Sequence, residues 1–319
     1  MNLEYLLKKA FERRAGLFKL EDTDCFRIVN GKADGLPGLA IDRFGQFLLV
    51  QSYDGRLLEK SEENIGLNKT YHNALVTALP NMPVEVKGIF LRSREKTPAP
   101  RESFLIGGVR PAADFTVRQN GMRLAPGLTE GRNQGIFLDM REIRNELAVF
   151  YKSAPPEKML NLFCYTGIFS VHALVNGTAH AVNVDLSRSA LERAEENYAL
   201  NSLAVDKRDF IQADALEYAR RLKKKGDEFQ LIVIDPPTFS RNKKRSFSVR
   251  KNYRAAHELL GSLAPRGYVF SAVNTLGISR EEYMSFHPCG WKLVFYGNES
   301  WDFLTPGSPY LKAGLWEVK

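Results

Sequence analysis

Three short stretches carry residue types whose spacing could do chemistry. The first is Phe163-Cys164-Tyr165-Thr166-Gly167, which ends an apolar run, Met159–Leu162, and precedes a helical pattern from Ile168. A strand, a tight turn and a helix N-terminus converge backbone N–H groups and the positive end of a helix dipole on one point, where an anionic ligand group is favoured. The second is Asp185, closing the apolar run AHAVNVD eighteen residues after Gly167. An acid at that place suits ribose hydroxyls. The third is Asp235-Pro236-Pro237, which stops the continuously apolar run Leu231–Ile234. Two prolines remove N–H donors and leave a rigid rim of carbonyls at the strand's C-terminal edge. An aromatic, Phe239, follows closely. Edge hydrogen bonds beside a stacking face suit a nucleobase taken out of its stack.

The turn itself discriminates between cofactors. A dinucleotide needs several glycines for close approach of its pyrophosphate, and a phosphate loop needs GxxxxGK[ST]. Gly167 is the single glycine of this turn. A carboxylate-bearing nucleoside, S-adenosylmethionine (SAM), therefore fits better than NAD or ATP. Asp214, at the end of the short run Phe210–Gln212, could accept from an adenine amino group and is equally placed to cap a helix. Gln134 and Phe137, in GLTEGRNQGIFLDMR just before the first core run, could touch the cofactor or serve as turn and packing residues. That segment reads as a loop, a strand-like patch and a helix from about residue 139.

These pieces need an open α/β sheet to hold them. Residues 159–185 read as β-α-β; a patterned helix follows over 186–203, then a short strand and helix over 209–222, and strands at 229–234, 267–275 and 291–298. The tail reads as a loop and a last strand. The N-terminal third differs. MNLEYLLKKAFERRAG reads as an amphipathic helix, residues 25–53 as a three-stranded meander, 56–79 as mainly helical and 84–93 as a strand. Asn120-Gly121, between alternating apolar positions, is a strong hairpin signal. The expected organisation is a small α+β domain over 1–110 and the cofactor domain over 111–319, with the boundary in the Pro- and Gly-rich loops between about 95 and 127.

Composition bounds the partners. The 319 residues carry a net charge of +8, 44% hydrophobic and 26% charged residues, and three widely spaced cysteines without a CxxC pair. No apolar run approaches the roughly 20 residues of a membrane span. A disulfide framework and a zinc site are disfavoured, and a reducing, cytoplasmic setting without membrane or metal is expected. The densest charge is RNKKRSFSVRKNYR, residues 241–254, with no acid and with Phe247 and Tyr253 interleaved. Read as a loop beside Asp235, it offers Arg241, Lys243, Lys244, Arg245, Arg250 and Lys251, with Phe239, to an RNA backbone. Oligomeric state, monomer or homodimer, is left open.

NLFCYTGIFSVHAL, VNVDLSRSALERAEEN, the acid at Asp214 and IDPPTFS, together with DGLPGLAIDRFG and NQGIFLDMR, resemble the bacterial 23S rRNA methyltransferases that modify cytosine C5 or guanine N7. The resemblance implies a Rossmann-like class I methyltransferase fold, mostly parallel and seven-stranded. It implies that Phe163, Tyr165, Thr166 and Gly167 form the methionine loop, that Asp185 with Ser187 holds the ribose, and that Asp214 faces the adenine. It sets Asp235, Pro236 and Pro237 between SAM and the target base. The chain departs from that pattern twice. Many relatives begin with a small RNA-binding barrel, and this sequence begins with the helix and meander. Cytosine-C5 members also carry a cysteine in an F-S-C-S strand, where this chain has Phe270-Ser271-Ala272-Val273. Carbon 5 of cytosine needs a covalent thiolate adduct, so the expectation is methylation of a base nitrogen, guanine N7 or similar, in 23S rRNA. The alternatives are a cytosine-C5 enzyme, a methyltransferase of a non-RNA substrate, a SAM-binding RNA-binding protein without catalysis, and, remotely, an NAD oxidoreductase.

Overall fold

The computed structural model describes residues 2–60, 65–94, 103–129, 133–241, 246–303 and 306–319. Two compact units emerge: Met1–Asp139 with Ser300–Gly307, and Met140–Glu299 with Ser308–Lys319.

The first unit is built on a five-stranded sheet in the order Cys25–Asn30, Leu39–Phe44, Phe47–Ser52, Gly88–Ser93, Phe104–Gly108. The meander pairs antiparallel, with Phe47–Ser52 then parallel to Gly88–Ser93. The crossover contains the helix Lys69–Ala78; the preceding residues form two short strands, Leu58–Lys60 and Ile65–Leu67, rather than the mainly helical run the sequence suggested. Leu7, Ala10 and Phe11 of the helix Leu3–Arg13 enter the core with Phe26, Ile28, Val50 and Leu91. Asn120 and Gly121 both take positive φ, 52° and 79°, and close the hairpin Val117–Gln119/Met122–Leu124.

The unit boundary lies at residue 139, not near 110. The reason is that hairpin: Arg118 O accepts from Asp24 N at 2.9 Å, and Gln119 Nε2 donates to Cys25 O at 3.0 Å. Residues 300–307 also return to the first unit. The Asp302 carboxylate, fully buried, accepts from Arg27 N at 2.9 Å, and Asn30 Nδ2 donates to Phe303 O at 2.6 Å. Residues 133–137 hold no strand, and a 3-10 turn, Leu138–Met140, leads into the helix Arg141–Ser153.

The second unit is a seven-stranded sheet in the order Phe210–Gln212, His180–Asp185, Lys158–Leu162, Leu231–Ile234, Tyr268–Asn274, Leu311–Glu317, Lys292–Gly297. The first five strands run parallel, and Leu311–Glu317 is antiparallel to both its neighbours. The central Leu231–Ile234 strand is buried on both faces, as its unbroken apolar run requires. Helices Ile168–Val175, Arg188–Leu200, Ala215–Lys225 and Val249–Gly261 connect the strands. This is the expected mostly parallel α/β sheet with a smaller α+β unit. Among the described residues, no helix is long and apolar enough to cross a membrane, and no group of three or more His, Cys, Asp or Glu could hold a metal.

Candidate active site

At the C-terminal edge of this sheet, the turn after Lys158–Leu162 is tightly constrained. Phe163, Tyr165 and Gly167 take φ of 58°, 52° and 70°. Positive φ costs non-glycine residues, so the surroundings must hold the turn. Cys164 N donates to Val184 O at 3.1 Å, Gly167 N to Cys164 O at 2.9 Å, and Asn197 Nδ2 to Thr166 O at 2.9 Å. Gly167 is required for a second reason. A Cβ there would stand 2.8 Å from Ala194 Cβ on the neighbouring helix.

Asp185 locks the turn from the adjacent strand. Its Oδ2 accepts from Tyr165 N at 2.9 Å and its Oδ1 from Ser187 N at 2.8 Å. A carboxylate offers about four lone-pair positions, so acceptor capacity for ribose hydroxyls is left over. Ser187 caps the helix Arg188–Leu200, its Oγ accepting from Ala190 N at 3.2 Å. Asp214 is an N-cap, accepting from Glu217 N at 3.0 Å, and its strand end is tied to the neighbouring strand by Ala213 N donating to Asp185 O at 3.1 Å. The second unit therefore brings Phe163, Tyr165, Thr166, Gly167, Asp185, Ser187 and Asp214 to one sheet edge, a glycine-cleared turn beside an oriented acid. That fits a carboxylate-bearing nucleoside. Gln134 and Phe137 belong to the first unit: Gln134 is buried and its carbonyl accepts from Gly127 N at 2.8 Å, whereas Phe137 is 40% exposed.

Asp235, half-buried, and Pro236, buried, leave the central strand at this same edge, and Pro237 is exposed. Thr238 Oγ1 donates to Asn274 O at 2.9 Å. What fixes the strand end is Tyr253, which the sequence reading placed among RNA-facing aromatics. It is fully buried on the helix Val249–Gly261. Its hydroxyl donates to Ala272 O at 2.7 Å and lies 3.2 Å from Ile234 O, so it ties two parallel strands at the point where Asp235 begins. Its place on one helix face with Val249, Ala256, His257 and Leu260 was the available signal. Tyr253→Phe should lower the turnover number by about tenfold, since misplaced reacting groups lose rate steeply. SAM affinity by calorimetry should stay within about twofold, because the Tyr165 and Asp185 contacts are untouched. Equal losses in both would assign Tyr253 a merely structural role.

The basic stretch is a hairpin, Phe239–Arg241/Ser246–Ser248, running into a helix, rather than one loop. The side chains of Phe239 and Arg241 and all of Lys243, Lys244 and Arg245 lie outside the described residues. Arg250 is exposed but paired: Nε and Nη2 donate to Glu282 at 2.6 and 2.9 Å, and Nη2 to Gly277 O at 2.6 Å. An acid distant in sequence thus neutralises a cation that looked free. Lys251 is exposed.

Ser271 pairs with Ile234, and Ala272 is the next residue along that strand. Cys164 is buried in the turn Phe163–Gly167, and burial first, with the Asp185 charge, pushes its thiol well above the ordinary range. Cys25 lies in the first unit with Sγ 3.4 Å from Arg118 O, and Cys289 is exposed.

Comparison with known proteins agrees with this geometry. Residues 32–285 match the family model of S-adenosylmethionine-dependent methyltransferases. A Bacillus subtilis (strain 168) protein with the provisional description ribosomal RNA large subunit methyltransferase YwbD is 32% identical over 90% of this chain and 70% of its own length. Ribosomal RNA large subunit methyltransferase I of Escherichia coli O139:H28 is 32% identical over 85% of this chain. The chain spans 66% of that protein's length. Among solved structures, SMU.776, provisionally a methyltransferase and crystallised as a complex with SAH, superposes with a TM-score of 0.84 at 24% identity, over 100% of this chain and 82% of its own. A provisionally SAM-dependent methyltransferase from Streptococcus mutans gives 0.82 at 23% identity, with the same coverages. The chain belongs to the S-adenosylmethionine-dependent methyltransferase family and takes SAM as its methyl donor.

Proposed function

We propose that the chain methylates a ring nitrogen of a base, guanine N7 or similar, in large-subunit ribosomal RNA. SAM supplies an electrophilic methyl group on a sulfonium. The turn Phe163–Gly167 and Asp185 hold its amino-acid and ribose parts, with Asp214 towards the adenine. Asp235 and the carbonyl rim of Pro236 and Pro237 orient the base edge. Phe239, Arg241, Lys243, Lys244, Arg245, Arg250 and Lys251 form the RNA-facing stretch, with Arg250 the weakest member because Glu282 already pairs it.

The observation carrying the nitrogen target is Ala272, a side chain without a thiol where covalent attack on a cytosine would need one. A ring nitrogen with an available lone pair needs alignment and exclusion of water, with no obligatory general base. The RNA substrate is supported by the +8 net charge and by the names of the two relatives. Incubation with methyl-labelled SAM and unmodified large-subunit rRNA should label the RNA. Asp235→Asn should cut labelling by about a hundredfold while SAM still binds, since its role is positioning. SAM binding without label in any RNA would contradict the proposal.

A further inference from the structure

The helix Ala215–Lys225 carries a cationic surface that the site does not use. Arg220, Arg221, Lys223, Lys224 and Lys225 are all exposed, and none of their side chains has an ion pair or hydrogen bond among the described residues. Some exposed cations elsewhere are matched locally, Arg188 to Glu192 at 3.1 Å, Arg208 to Asp206 at 2.5 Å and Lys9 to Glu12 at 2.7 Å, whereas five unmatched cations fall within six residues here. Here the helix's acids are confined to its start, at the Asp214 cap and Glu217.

This arrangement costs the helix stability. Arg220 with Lys224, and Arg221 with Lys225, are like charges at i,i+4, a spacing that destabilises helices. The C-terminal dipole favours the three lysines of the last turn, whereas Arg220 and Arg221 lie before it. Repulsion of this kind is relieved by a polyanion.

We propose that this helix face is a second contact surface for the phosphodiester backbone of the substrate RNA, separate from residues 241–254. The inference rests on the RNA reading above. The helix begins at Asp214, on the strand end bonded to Asp185, and is about 16 Å long at 1.5 Å per residue. At 3.4 Å per nucleotide along one strand, that is about five steps. A strand delivering its base to the sheet edge can therefore continue down this face, and the cations track its phosphates without reading sequence.

The test is fluorescence anisotropy of a labelled large-subunit rRNA fragment with the full chain, wild type against the double variant Arg220→Glu/Lys224→Glu, across a salt series. The variant should bind about tenfold more weakly at low salt, with the slope of log K against log salt shallower by about one to two. Its SAM affinity should stay within about twofold, and a circular dichroism melt should show it folded as the wild type is, because the substituted side chains are exposed. The charge-preserving Arg220→Lys should bind as wild type. Unchanged RNA affinity and slope in the double variant, with a wild type that binds and methylates RNA, would overturn this surface alone. A wild type that neither binds nor methylates RNA would overturn the functional reading and this inference with it.

Discussion

Asp185→Ala should abolish measurable SAM binding at micromolar cofactor while leaving the sheet folded. The carboxylate does two jobs. It holds the Tyr165 and Ser187 backbone N–H groups at 2.9 and 2.8 Å, and it carries the acceptor positions assigned to the ribose. Hydrogen bonds to a charged acceptor contribute about 1.5–3 kcal/mol each. Losing two ribose contacts and releasing a turn that holds two non-glycine residues at positive φ should cost about 3–5 kcal/mol in affinity, roughly 10²–10⁴ in Kd. Asp185→Asn separates the two jobs, because one amide oxygen can still accept one N–H while the amide nitrogen meets the other N–H unfavourably. It should fall between wild type and alanine. Calorimetric titration with SAM, beside a circular dichroism melt, checks this; near-wild-type affinity in the alanine variant contradicts the assignment.

The second large effect is a loss of stability in mild acid. His172 and His287 are buried, and burial pushes each down to about 3, with the Arg144 and Lys152 charges adding to His172. His257, fully buried against Tyr253, His287 and Trp291, is pushed well below the ordinary value, by burial and then by His287, with the Tyr253 and Phe286 backbone offsetting only part. Unfolded histidines bind protons near pH 6.5 and these three do so only far lower. The unfolded state therefore holds more protons throughout that interval, and stability falls as pH drops below about 6.5 and continues to fall towards the folded values. Three such groups together should remove about 4 kcal/mol by pH 5.5, a large share of a typical stability of about 5–15 kcal/mol. Denaturant midpoints of the second unit should drop steeply between pH 7 and 5.5. A flat profile contradicts the account. His257→Phe should make the slope shallower by about a third.

Much of the second unit was legible in the sequence because its signals are local. The run from Met159 to Asp185 contains its strand, turn glycine, crossover helix and terminal acid in order, and the structure places Gly167 and Asp185 at one sheet edge. Asn120-Gly121 likewise states its turn in two residues. What escaped was long-range. Nothing around Asp302 announces that its carboxylate will be buried against Arg27 N, 275 residues away. Glu282 is 32 residues from Arg250, so a stretch read as uncompensated charge contains a paired arginine. Tyr253 was misread because its neighbours are basic; at helical spacing from Val249 and His257 it faces the core, and its hydroxyl ties the Asp235 strand to its neighbour. The cationic end of Ala215–Lys225 was read simply as a helix, since only the exposed, unpaired side chains mark it as a surface with work to do.

The most direct test of the central claim is nucleoside mass spectrometry of large-subunit rRNA methylated in vitro by this protein with labelled SAM. The account predicts a labelled guanosine methylated on a ring nitrogen, 7-methylguanosine first among them, and the same product when each of the three cysteines is replaced by serine. Labelled 5-methylcytidine, lost on replacing one of those cysteines, would contradict it.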